Sequence, residues 1–258
     1  MPRGEKQVQV KLLKKISKAG ADVSLPQWFK IERLTHWEGN PARPLYTMSV
    51  AHESTYYKIK YADYHLEVLR QIYEVKNRRS DSEQWAKLQM HSIVFNIYSA
   101  LDSLASEINL AYGFKLKPHN IQFDHNHNPK QGQKRSCVPC RMKIGKNSQE
   151  LASYIDKTLR RSWFIRFKKL RHQITHRHLP YTMIGIGGYT IIIKIPNNPA
   201  TTRTNPSYSH SHDLRQFCLT TREEVVKVIE HVYELMANRV ERRYRFQRQR
   251  VDDDSHNM

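Results

Sequence analysis

The chain predicts an all-α fold, a bundle of four long helices with one small β-hairpin and an irregular N-terminal arm. Three observations lead there. Apolar residues recur at steps of three and four over four long stretches, the period of a helix that buries one face. Gly113 and Pro180 fall where two of those stretches end, as residues that stop helices do. One short β-branched stretch carries a hairpin pattern around Gly187-Gly188.

Residues 1–50 are broken by Pro26, Pro41 and Pro44, while Trp28, Phe29 and Trp37 give them something to pack. They read as an irregular or partly extended arm. From about Val50 to Asn77, Ile59, Ala62, Leu66, Leu69 and Tyr73 share a helical face. Ser80-Asp81-Ser82 offers caps for a second helix reaching about Tyr112. Its apolar seam is Met90, Val94, Ile97, Leu101, Leu104 and Ile108. Phe114 to Asn147 reads as a loop, long enough to imply function or disorder.

A third helix is expected from about Ser148 to Arg177, with Ile155, Leu159, Trp163, Phe167, Leu170 and Ile174 on one face. Thr182 to Ile195 reads as the hairpin, and Asn197 to His212 as a polar loop. The last helix runs from about Thr221 to Phe246, capped by Thr220 or Thr221, with Val225, Val228, Val232, Leu235 and Met236 inward. The layout is therefore an arm (1–50), a helical domain (51–247) carrying the loop insertion 114–147, and a disordered tail (248–258).

Composition narrows the function. In 258 residues, 43 Lys and Arg face 24 Asp and Glu, a formal net charge of +19. That imbalance favours a polyanionic partner, nucleic acid before acidic membrane. Three cysteines, Cys137, Cys140 and Cys218, argue against a disulfide scaffold. The lysine-rich start lacks the apolar run of a signal peptide, and the apolar stretch near 181–195 is too short and too interrupted to span a bilayer as a helix. A soluble, cytoplasmic protein is expected. Gly185-Ile186-Gly187-Gly188 sits inside the hairpin pattern, so it is no dinucleotide fingerprint.

The segment Leu170-Arg171-His172-Gln173-Ile174-Thr175-His176-Arg177 concentrates the chemistry. RNA brings its own nucleophile, the 2′-hydroxyl. Cleavage through that group needs a base, an acid and a cation for the charged phosphorus centre, and no metal. His176 can transfer protons near neutral pH. Arg171 can grip phosphate with its planar fork. One motif supplies one histidine, and a two-fold dimer would supply two. Around an ideal helix Arg171 aligns better with His178 than with His176; His176 fits the local pattern, with His178 as substitute or helper and His172 beside the arginine.

Arg171-His172-Gln173-Ile174-Thr175-His176 resembles the Arg-x4–6-His signature of the HEPN superfamily, with a polar residue after the arginine and an apolar one two before the histidine. The helix segment Asn96-Ile97-Tyr98-Ser99-Ala100-Leu101-Asp102-Ser103-Leu104-Ala105-Ser106-Glu107-Ile108-Asn109 is similar to the family's preceding helix. The resemblance covers roughly residues 50–245. It implies a HEPN-like bundle that dimerises to form one composite, metal-independent endoribonuclease site, in a defence (antiviral), toxin–antitoxin or RNA-processing role. An antitoxin or regulatory partner belongs to that picture. The family also contains non-catalytic members, so a module that only binds RNA or a partner is the alternative. Some toxins of the superfamily carry a tyrosine two positions after the motif histidine, where this chain has His178.

Three further groups complete the expected site. Asp102, a carboxylate among Leu101, Leu104 and Ala105, needs a partner or a polar site; it either orients Arg171 or His176 or pairs structurally. Arg160, Arg161, Arg166, Lys168, Lys169 and Arg177 form an acid-free basic run suited to an RNA backbone, and residues 239–250 add a second. Trp163 and Phe167 are expected in the core. His125, His127, Cys137 and Cys140 have donor types and a Cys-x2-Cys spacing that suit a structural zinc, with His119 as a spare.

Overall fold

The computed structural model describes residues 27–28, 43–74, 80–124, 137–145, 147–176, 182–184, 190–196 and 208–256. Among them the chain is mostly helical, with a small three-stranded sheet. The helices are α1 (Arg43–Glu74), α2 (Ser80–Tyr112), α3 (Val138–Ile144), α4 (Gln149–Leu159), α5 (Ser162–His176) and α6 (Leu214–His256). The strands are β1 (Thr182–Ile184), β2 (Ile191–Pro196) and β3 (Tyr208–Asp213). No described helix is long and apolar enough to cross a membrane.

The contacts divide the chain into two units. The first holds Lys58–Tyr98 and Ser162–Glu224. Its α2 portion buries Met90, Val94 and Ile97, the start of the expected seam, and its α1 portion buries Ile59, Ala62, Leu66 and Leu69. α5 packs on β2, and Phe164, Phe167 and Leu170 are buried with Ile191, Ile193 and Ile195. An Arg222–Asp63 pair, 2.7 and 3.0 Å, ties the start of α6 to α1. The Tyr73 hydroxyl lies 3.1 Å from the Ile191 carbonyl and accepts the N–H groups of Ile191 and Arg215 at 3.3 Å each.

The second unit holds Leu25–Tyr57, Ser99–Arg161 and Val225–Met258. Leu101, Leu104 and Ile108 of α2 are buried here, as are Ile155 of α4 and Val225, Val228, Val232 and Met236 of α6. α2 ends where Gly113 takes φ 65°, a conformation open to glycine at little cost. Its N–H reaches the Leu110 carbonyl at 3.2 Å, and the Phe114 N–H reaches that of Asn109 at 3.1 Å.

Several boundaries differ from those expected. α1 begins at Arg43, inside the expected arm; Pro44 permits this because a first-turn residue needs no N–H partner. The long loop contains a 3-10 turn, Pro118–Asn120, and the helix α3. The expected third helix is two helices. Arg160 and Arg161 turn back onto Lys157 and Thr158, their N–H groups bonding those carbonyls at 3.3 and 3.1 Å, and α5 restarts at Ser162. The hairpin gains a third strand, β3, paired antiparallel to β2 with Ile193 opposite His212, where a polar loop was expected.

α6 starts at Leu214 rather than near Thr221. Asp213 caps it, its Oδ1 accepting the Gln216 N–H at 2.8 Å, as an N-cap carboxylate does. α6 also continues through residues 248–256, read from sequence as tail; no Gly or Pro interrupts it between Leu214 and His256.

Candidate functional site

The motif lies on α5, in the first unit, and α5 ends at His176. The helix carries no acidic residue. Phe164, Phe167 and Leu170 point inward and are almost wholly covered, which fixes the helix about its axis. One residue beyond Leu170, the Arg171 guanidinium lies over the Tyr98 ring of α2, 4.5 Å from its centroid. Tyr98 is itself buried, with Phe167 5.7 Å from it. A ring face attracts the cation without occupying any of its five N–H donors. The fork is therefore steadied yet able to take a bidentate anion.

His172 is half-buried. Gln173 is 6% exposed, and its side-chain oxygen has no hydrogen-bond partner among the described residues. The side chain of His176, like Arg177 and His178 as a whole, lies outside the described residues. Of the basic run, Arg166, Lys168 and Lys169 are half-buried on α5. Arg160 and Arg161 are exposed and fall in the second unit, with Arg160 paired to Asp156 at 2.9 Å. The break before Ser162 means that the run does not share one helical face. Trp163, expected in the core, is half-buried, and its neighbour Phe164 is the buried ring.

Asp102 belongs to the second unit, half-buried on α2. Its Oδ1 accepts the Phe123 N–H at 3.3 Å, holding the chain beyond the 3-10 turn. Cys137 and Cys140 are reduced, buried thiols at the start of α3. Burial, together with the hydrogen bond between the two thiols, pushes Cys137 up to about 12. Two adjacent reduced thiols have the chemistry of half a tetrahedral zinc set. His125 and His127 lie outside the described residues, and among those described no three His, Cys, Asp or Glu side chains converge. Cys218 is also buried, which raises its thiol well above the ordinary range.

Sequence reasoning missed a buried polar cluster in the second unit. Glu107, with no exposed surface, sits between the apolar positions Leu104 and Ile108. Its Oε1 accepts the hydroxyls of Thr55 at 2.5 Å and Tyr233 at 3.0 Å, and its Oε2 lies 2.8 Å from His52 Nδ1. His52 Nε2 donates to the Trp28 carbonyl at 3.1 Å, and the Trp28 indole N–H donates to the His52 carbonyl at 3.1 Å. Glu230 accepts the N–H groups of Gln27 and Trp28 at 2.9 and 3.4 Å. The signal was available: a glutamate inside an apolar helical seam is unfavourable unless it is paired. The Glu107, His52, Thr55 and Tyr233 side chains are sealed from solvent, with Glu230 and Gln27 half-buried at the edge, so the cluster serves structure rather than substrate. A separate cavity of about 330 Å³, lined by Thr47, Val50, Ser54, Ser103 and Leu110 among others, has no charged residue on its wall. It offers a phosphate no cation.

No family model, no curated protein and no solved structure matches the chain.

Proposed function

We propose that the chain is a metal-independent endoribonuclease of HEPN type, working as a homodimer. The observation that carries the reading is the Arg171 fork steadied on Tyr98, on an acid-free helix that ends at His176. In the proposed reaction His176 of one copy takes the proton of the 2′-hydroxyl. The 2′-oxygen attacks the adjacent phosphorus, and Arg171 neutralises the charge that gathers on the equatorial oxygens. The bond to the 5′-oxygen breaks, and that oxygen takes a proton from the His176 of the second copy. The products are a 2′,3′-cyclic phosphate end and a 5′-hydroxyl end. His172 and His178 are the proposed helpers, and Asp102, bonded to the Phe123 N–H in the second unit, takes its structural reading. RNA is held by Arg166, Lys168, Lys169 and Arg177. A structural zinc on Cys137, Cys140, His125 and His127 would order the insertion and supply none of the chemistry.

The test is cleavage of labelled single-stranded RNA in EDTA, with the end groups identified. The wild type should leave cyclic phosphate ends, and folded His176→Ala should not cut. Salt-dependent RNA binding without cleavage by the wild type would sink the nuclease reading and favour the binding module.

A further inference from the structure

The outward face of α2 in the first unit is unusually apolar. Trp85 is 58% exposed, Leu88 47% and Phe95 62%. At steps of three and seven residues they form one stripe along the helix. Isolated exposed apolar residues need no explanation, but three along one side of one helix, two of them large rings, do, even with His91 and Ser92 between Leu88 and Phe95.

Its neighbourhood says what it suits. Phe95 stands three residues before Tyr98, so the two are neighbours on the helix surface. Tyr98 is the ring on which Arg171 lies at 4.5 Å. The stripe therefore ends beside α5, which carries Arg166, Lys168, Lys169 and Arg171 and no acid. Exposed rings beside a one-signed basic helix are what single-stranded nucleic acid recognises: phosphates take the charge, and bases stack on rings whatever their identity. A protein partner would find no negative rim on α5 to pair with its own cations. From Trp85 to Phe95 the helix rises about 15 Å, room for a few nucleotides of one strand at 3.4 Å or more each.

We infer that Trp85, Leu88 and Phe95 form a base-stacking platform for single-stranded RNA, with Phe95 receiving a base next to the phosphate held by Arg171. This deepens the ribonuclease reading and rests on it for the role of Arg171, although binding is read separately from cleavage. Phe95 and Trp85 are positioning residues here, not catalytic ones.

The experiment measures binding of a fluorescein-labelled, 2′-O-methylated twelve-nucleotide oligo(U), which lacks the nucleophile and is not cut, by anisotropy, alongside cleavage of unmodified oligo(U) in EDTA and solution mass. Wild type, Phe95→Ala, Trp85→Ala and Arg171→Ala are compared. Both ring positions are exposed, so these variants keep their cores. Each should bind about five- to a hundredfold more weakly with unchanged mass, the usual effect of losing one stacking ring, and Phe95→Ala should raise KM more than it lowers kcat. Wild-type affinity in both ring variants, with cleavage still lost in Arg171→Ala, would overturn the platform and leave the nuclease reading standing. A dimer mass lost in the ring variants with RNA affinity unchanged would also overturn it, assigning the stripe to a second copy of the chain. No binding and no cleavage by the wild type would overturn both.

Discussion

The Arg171 guanidinium rests on the face of Tyr98, two residues 73 positions apart brought to 4.5 Å. The ring is nearly buried, so the contact is partly shielded from water, and a desolvated cation–π contact is worth more than an exposed one. Tyr98→Leu keeps a smaller apolar side chain there and removes the ring. It should leave the fold in place and slow RNA cleavage about five- to thirtyfold, the kinetic equivalent of about 1–2 kcal/mol. Arg171→Ala should cost more, on the order of 10²–10³ in kcat, as loss of a transition-state donor does. If Tyr98→Leu cut RNA at the wild-type rate, the ring would not be what positions the arginine.

Periodicity explains why much of this was legible. The seam Met90, Val94, Ile97, Leu101, Leu104 and Ile108 is buried throughout, because a long helix must hide one stripe. The third strand was not legible: Ser209, His210, Ser211 and His212 are polar, and β3 is held by its ladder to β2 and by Tyr73, whose hydroxyl lies 3.3 Å from the Asp213 carboxylate. The break after Leu159 was missed because apolar spacing runs unchanged across it and only backbone turns mark it. Arg171 stands out by residue type, whereas its partner Tyr98 enters only as one position of the segment Asn96–Asn109 that is similar to the family's preceding helix. Which ring meets which arginine is a long-range fact that spacing along one helix does not contain.

Glu107 should be the most sensitive position in the second unit. Removing a fully buried carboxylate strands the hydroxyls of Thr55 and Tyr233 and the His52 ring nitrogen that it now satisfies. Glu107→Ala should destabilise by about 3–5 kcal/mol, the cost of breaking a buried pair. Tyr233→Phe deletes one hydrogen bond and should cost about 1–1.5 kcal/mol. Urea unfolding followed by circular dichroism checks both. Equal midpoints for Glu107→Ala and wild type would show that the cluster adds nothing.

Glu230 should give the second unit a pH dependence of its own. Burial raises its carboxyl above the ordinary glutamate range, and the N–H groups of Gln27 and Trp28 only partly offset this. A raised acid favours the protonated fold. Its contribution is fully present below the ordinary value of about 4.3 and is lost as pH rises through the raised folded value. Glu230→Gln cannot titrate, so the difference in stability between variant and wild type should grow in the variant's favour as pH climbs from about 4. Parallel stability–pH curves would contradict this assignment.

The thiol pair makes the zinc proposal separable from simple burial. The Cys137 thiol is pushed up to about 12 by burial and then by Cys140. Its protonated form is the one the fold favours, so its stabilising contribution holds below the ordinary thiol range and fades as pH rises toward that value. The thiolate, not the thiol, attacks the iodoacetamide carbon and displaces iodide, so at pH 8 native protein without metal should be alkylated far more slowly than urea-unfolded protein, counted by mass spectrometry. Zinc requires the opposite protonation state, because thiolates are its ligands. Adding zinc to the metal-free protein at pH 7 should therefore release protons and raise Tm, and Cys137→Ser with Cys140→Ser should abolish both effects. Slow alkylation with neither proton release nor a Tm shift would identify the pair as buried core thiols and remove zinc from the account of the insertion.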